Sequence, residues 1–179
     1  MKSLFFIRHG QSQANLEHIT AGQLDTPLTP LGIAQAEHAA EQLAKSHVKI
    51  DVIVSSPLSR SKTTAQIIAT KLNYPLDRIK PLDDLRERSC SKLEGQPTEF
   101  YYNLSEVESV RDYGVESLET LYGRAERVFA WLEKTYPDQT VLVISHSGFG
   151  KMLKIITDKL TIAAYDKTEN LANAQLIHI

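Results

Sequence analysis

Residues 140–146 read Thr-Val-Leu-Val-Ile-Ser-His. Four consecutive apolar residues without polar alternation mark a strand covered on both faces, the pattern of a parallel sheet flanked by helices. Residues 4–10, Leu-Phe-Phe-Ile-Arg-His-Gly, resemble it: a short apolar run that ends directly in Arg8-His9-Gly10. Asp51-Val52-Ile53-Val54 is a third short β-branched run, ending in Ser55-Ser56. Helical spacing fills the intervals. Thr29-Pro30 is an N-cap candidate with proline at the first helical position, followed by Ala36, Ala40, Leu43 and Ala44. Ser56-Pro57 reads as a second such start, with Ala65, Ile68, Ala69 and Leu72 on one face until Asn73 and Pro75. Leu121, Ala125, Val128, Phe129 and Leu132 form the clearest amphipathic helix. Gly148 to about Lys159 is expected to be helical, and Ala174–Ile179 to form a last strand. Such alternation predicts an α/β fold with a mostly parallel sheet.

The 179 residues fit one domain, 1–179, with a stretch at about 87–117, rich in polar residues and tyrosine, expected as an insertion over one end of the sheet. Twenty Lys+Arg against 22 Asp+Glu give a net charge of −2, which argues against a nucleic-acid-binding surface. The single cysteine, Cys90, excludes an internal disulfide and points to a reducing, cytoplasmic setting. Leu4–Ile7 is far too short for a leader or a membrane span, so no membrane association is expected.

Chemistry gathers where the strands end, which is where open α/β sheets bind ligands. Arg8-His9 follows the first strand, Arg60 lies just beyond the second, and His146 follows the third. Two guanidinium groups repel a metal ion, so no metal or other cofactor is expected. They suit phosphate, whose oxygens arginine can hold with paired donors. The Ser56-Pro57 helix start is expected to add backbone N–H groups to the same anion site.

Arg8-His9-Gly10, with Asn15 downstream, resembles the signature of the histidine phosphatase superfamily, the phosphoglycerate-mutase-like proteins. The resemblance continues through Gly22, Asp25, Pro27-Leu28-Thr29, Gly32 and Gln35-Ala36. It then takes in Ser55-Ser56-Pro57-Leu58-Ser59-Arg60 with Thr64-Ala65, Leu85-Arg86-Glu87 with Glu94-Gly95, Glu116-Ser117 and Ser145-His146. It implies a three-layer α/β/α sandwich and a phosphoric monoester hydrolase of the histidine acid phosphatase type. His9 would attack phosphorus to give a phosphohistidine that water later hydrolyses. Arg8, Arg60 and His146 would hold the equatorial oxygens. Asn15 and Ser147 would add substrate contacts, and Glu87 would protonate the leaving alkoxide. Neighbouring Arg8 and Arg60 would keep the imidazole of His9 unprotonated.

Other readings compete at single positions. Glu94, Glu99 and Asp84 lie near Glu87, Asn15 could simply cap a helix, and His18, His38, His47 and His178 lack any motif. Cys90 reads as a packed thiol. The stretch Arg88–Gln96 lacks the Tyr-Gly-x-Leu-x-Gly pattern of phosphoglycerate mutases, which favours hydrolysis of a small phosphorylated metabolite. A mutase-type phosphotransferase and a non-catalytic phospho-ligand module are the alternatives, and a monomer or homodimer is expected. Phe100, Tyr101, Tyr102 and Tyr113 either contact the substrate or pack the insertion.

Overall fold

The computed structural model describes residues 1–179. Its main elements are β1 (Ser3–Arg8), α1 (Gln13–Leu16), α2 (Pro30–Lys45), β2 (Val52–Ser55), α3 (Ser59–Lys71), β3 (Lys80–Pro81), α4 (Thr98–Tyr102), α5 (Glu106–Tyr113), α6 (Leu118–Thr135), β4 (Thr140–Ser145), α7 (Ser147–Thr157) and β5 (Leu176–His178). The strands form one sheet in the order β3-β2-β4-β1-β5. All pairs are parallel except β1–β5, so the expected terminal strand is an antiparallel edge.

Alternate residues of each strand point to opposite faces, and two helical layers cover them. Leu4, Phe6, Val141 and Val143 pack with Leu121, Ala125, Val128 and Leu132 of α6 and with Phe149, Met152 and Leu153 of α7. Ile7, Ile53, Leu142 and Ile144 pack on the other side against Ala40 and Leu43 of α2 and Ala65, Ile68 and Ala69 of α3. The apolar run at 140–145 is buried throughout because β4 lies between β1 and β2 with a helix layer on each side. This is the α/β/α sandwich expected from the sequence.

Register sets the position of the chemistry. Arg8 pairs with Ser145, and Ser55 with Ile144, so three strands end at one level. Gly10 and Gly32 let the turn after β1 meet the start of α2. A Cβ on Gly10 would sit 2.2 Å from the Gly32 carbonyl oxygen, and one on Gly32 only 2.0 Å from that of Gln11. Thr29 caps α2 as expected, accepting from the Gly32 N–H.

The segment 87–117 is more regular than its composition suggests. Ser105 and Glu108 form a reciprocal capping box on α5, and Gly114 closes that helix in the left-handed conformation. Its own apolar cluster is small: Cys90, Leu93 and Val115 are its buried members.

Candidate active site

His9 follows β1, and its backbone N–H donates to the Ser145 carbonyl, tying it to the end of β4. The residue is 4% exposed. Its Nδ1 lies 2.7 Å from the Gly10 carbonyl oxygen, which can only accept, so Nδ1 carries the proton and Nε2 keeps a lone pair. Arg60 donates from Nε to that Nε2 at 3.3 Å. Burial, then the charges of Arg60 and Arg8, hold the His9 pKa well below the usual histidine range.

His146 lies edge-on to His9, with ring centroids 5.1 Å apart, and is fully buried. Burial followed by the charge of Arg60 holds its pKa well below the usual range as well. Its Nε2 is 2.8 Å from Ser56 Oγ. That hydroxyl already accepts from the Leu58 N–H, which leaves its hydrogen free to donate to Nε2. Ser61 Oγ is a second hydroxyl at 3.4 Å from Nε2, and the buried Nδ1 has no protein partner. His146 is not part of the cavity wall itself; it stands beside His9.

Arg60 is 1% exposed and firmly seated. Nη1 and Nη2 donate to the carbonyls of Leu24 and Gly22, both at 2.8 Å. Arg8 donates from Nη1 to the Leu171 carbonyl, while its buried Nε has no partner. Asn15 is both a cap and a wall residue. Its Oδ1 accepts from the Ser12 N–H and from Asn173 Nδ2, leaving its own Nδ2 available. The Ser147 hydroxyl lines the same cavity with no partner.

Glu87 enters from the loop after a short turn at Asp83–Leu85. Its carboxyl accepts N–H groups from Gly148 at 3.0 Å, Phe149 at 3.1 Å and Arg88 at 2.8 Å. It therefore caps the N-terminus of α7, whose own N-cap residue, His146, makes no side-chain cap bond. Arg124 on α6 holds the backbone behind it. All five guanidinium N–H groups are used: on the carbonyls of Asp84, Arg86 and Glu87, and on both oxygens of Glu116.

Arg8, His9, Asn15, Arg60, Glu87 and Ser147 thus meet in one cavity of about 760 Å³. The competing acids lie elsewhere. Glu94 accepts from the backbone of Gln23 and Cys90, bracing the loop that seats Arg60. Asp84 is near Arg127 at 3.6 Å. The expected helix start at Ser56-Pro57 is a correction: α3 begins at Ser59, and Leu58 is its N-cap residue. Ser56 Oγ is engaged by Leu58 and His146, and the Ser59 N–H donates to Asp25 at 2.8 Å. A carboxylate of the chain itself therefore takes the first N–H of that helix.

Cys90 lines the cavity as a buried thiol whose pKa is raised to about 12, chiefly by burial. Phe100 and Tyr113 pack on each other at 5.6 Å, whereas Tyr101 and Tyr102 reach the cavity. His38 and His47 are exposed; exposed His18 borders the cavity, and His178 stacks on Phe5 at 4.6 Å. No cluster of three or more His, Cys, Asp or Glu side chains is placed to hold a metal ion. No helix is long and apolar enough to cross a membrane.

Sequence reading missed Asn173, which donates to the His9 carbonyl and fixes Asn15; it sits in a loop with no periodic signal. It also missed Lys151, although its i+4 spacing from Ser147 puts both on one face of α7.

Comparison with known proteins agrees with this geometry. The chain is 33% identical over 154 residues to an uncharacterized phosphatase, PhoE, of Bacillus subtilis, covering 83% of this chain and 73% of that one. It is 31% identical over 171 residues to a 2,3-bisphosphoglycerate-dependent phosphoglycerate mutase of Rhizobium rhizogenes, covering 89% and 81%. A mycobacterial glucosyl-3-phosphoglycerate phosphatase, solved with VO3, superposes with a TM-score of 0.83 at 26% identity, covering 99% of this chain and 92% of that one. Residues 4–179 match the family model of branch 1 of the histidine phosphatase superfamily, and the chain belongs to that superfamily.

Proposed function

We propose that the protein is a phosphomonoesterase that hydrolyses a small phosphorylated metabolite through a phosphohistidine on His9. The observation that carries this reading is the state of the His9 ring: Nδ1 is pinned to a carbonyl as a donor, so Nε2 holds the lone pair, which accepts from Arg60 Nε at 3.3 Å. Nε2 attacks phosphorus as the phosphorus–oxygen bond to the alcohol breaks. Arg8, Arg60, Asn15 and Ser147 offer donors to the phosphate oxygens, and His146, whose buried Nδ1 has no protein partner, is the further contact beside His9. Glu87 gives a proton to the departing alkoxide, then takes one from the water that attacks the phosphohistidine. Its Oε2 has a single backbone partner, so a second lone pair remains for that proton.

The same reading makes the enzyme a phosphatase of the histidine acid phosphatase type. It is supported by the neutral His9 and His146, which keep the nucleophile unprotonated as the pH falls below ordinary histidine values. Residues 1–179 act in this account as one catalytic unit, with 87–117 covering the substrate. Its support is that Glu87 and Tyr101 line one cavity with His9.

Phosphate release from p-nitrophenyl phosphate in the presence of a chelator tests the activity. His9→Ala is expected to lower kcat by about 10⁴-fold or more, as loss of a covalent nucleophile does. Retained hydrolysis in that variant, or transfer between positions of a phosphoglycerate faster than hydrolysis, would overturn the proposal.

A further inference from the structure

Arg8, His9 and Asn15 all lean on one short stretch, residues 171–174, in the loop before β5. The Ala174 N–H points between the Arg8 and His9 carbonyls, at 3.0 and 3.1 Å, and Arg8 donates from Nη1 to the Leu171 carbonyl. Ala174 takes a left-handed φ of 55° there, a conformation that a non-glycine residue keeps only where its surroundings hold it. Leu171 is buried in the core formed with α6 and α7, which anchors the stretch. Asn173 lies between these two anchors, half-buried in the cavity wall. Its Nδ2 donates to the His9 carbonyl at 3.1 Å and to Asn15 Oδ1 at 3.2 Å.

Donor and acceptor identities fix the direction of this relay. The His9 carbonyl can only accept, so the Asn173 amide must turn its nitrogen toward it. Both hydrogens of that nitrogen are then used inside the chain, and Asn173 has no donor left for a phosphate oxygen. Asn15 Oδ1 receives the second of them together with the Ser12 N–H at 3.1 Å. The Asn15 nitrogen is therefore the end left for the cavity. Turned over, Asn15 would set its NH2 group against two donors and present an oxygen to an incoming phosphate. We infer that Asn173 is a positioning residue for the phosphoryl transfer, acting through Asn15 by holding that amide with its donor toward the phosphate. The inference rests on the phosphatase reading and extends the phosphate grip to the loop before β5. The direction of the Asn15 donor is thus set, through Asn173, by the backbone of His9 itself.

Calorimetric titration with orthovanadate, a phosphate mimic, tests this on the unaltered protein, Asn173→Ala, Asn15→Ala and the double variant. Asn15→Ala is expected to weaken binding about tenfold or more, and Asn173→Ala about five- to tenfold, the scale of one hydrogen bond to a charged group. In the Asn15→Ala background, Asn173→Ala should change the affinity by less than about twofold, because the residue it acts through is gone. Gln175→Ala loosens the same loop by removing the exposed acceptor of the Ala172 N–H, and should stay within about twofold of the unaltered protein. Should Asn173→Ala fail to fold, Asn173→Asp keeps the shape without the donors, and its loss should be several-fold larger with Asn15 present than with Asn15→Ala. An equal loss with and without Asn15, no loss at all, or a loss in Gln175→Ala matching that in Asn173→Ala would overturn the inference. Failure of the unaltered protein to hydrolyse p-nitrophenyl phosphate would instead remove the phosphatase reading while leaving the anion-binding result intact.

Discussion

The His9 end of the cavity is carried by strand termini, and the opposite wall by side chains from a loop and the short helices α4 and α5. His9 and His146 follow β1 and β4, whose register is fixed by the central sheet, and Arg60 opens the helix beyond β2. Across the cavity, Arg88, Tyr101 and Glu106 hold one another by ion pair and hydrogen bond, above an apolar cluster with only three buried members. The His9 end is thus positioned by the sheet that also forms the core. The far wall depends on a few polar latches, so it can change while the sheet stays the same. Glu87 lies at the junction, anchored to α7 through its carboxyl and to α6 through the backbone that Arg124 holds.

The largest effect on this contrast is expected at Arg124. Arg124→Met removes one partner of a buried ion pair with Glu116, 2.8 Å apart, and frees the backbone at 84–87. Urea unfolding should show a loss of about 3–5 kcal/mol. A loss under about 1 kcal/mol would mean that the latch carries little of the wall. Glu87→Gln comes next, with kcat lowered roughly 10²–10³-fold on alkyl phosphates, the range for a general acid. The loss should be much smaller on p-nitrophenyl phosphate, whose leaving group needs little protonation. Equal losses on both substrates would point to Glu87 as a helix cap alone.

Stability should also depend on pH through the two buried histidines. His9 and His146 have folded pKa values well below that of free histidine, so the unfolded chain binds more protons once the pH drops below about 6.5. Stability is therefore full above that pH and falls as acid is added, by about 1.4 kcal/mol per pH unit for each ring. Urea midpoints measured between pH 7 and pH 5 should decline, and His9→Ala should flatten the decline. An unchanged slope in that variant would argue against a buried neutral His9. The smallest effect is expected on the far wall. Ser105→Ala removes the α5 cap, worth about 1 kcal/mol, and should raise hydrogen exchange across 106–113 about fivefold. Unaltered exchange would show that α5 is held by its packing instead.

This division also explains what the sequence disclosed. Strand ends are readable because an apolar run stops where chemistry starts, so Arg8, His9, Arg60 and His146 could be brought together from distant positions. The Ser56-Pro57 pair misled because its hydroxyl serves a turn and His146, while Asp25 from another segment caps the helix. In 87–117 the capping-box residues Ser105 and Glu108, and then Gly114, were present but were passed over in a polar stretch without strong periodicity. Arg124 and Glu94 act through partners far along the chain, and no local pattern announces such contacts.

The central claim is a covalent phosphate on His9. Mixing the protein with a phosphate monoester, quenching in alkali within milliseconds and mapping the peptides by mass spectrometry tests it most directly. The account predicts up to one alkali-stable, acid-labile phosphate per chain, on His9, and none in His9→Ala. Steady hydrolysis with no phosphate on any histidine, or with His9→Ala still turning over, would contradict it.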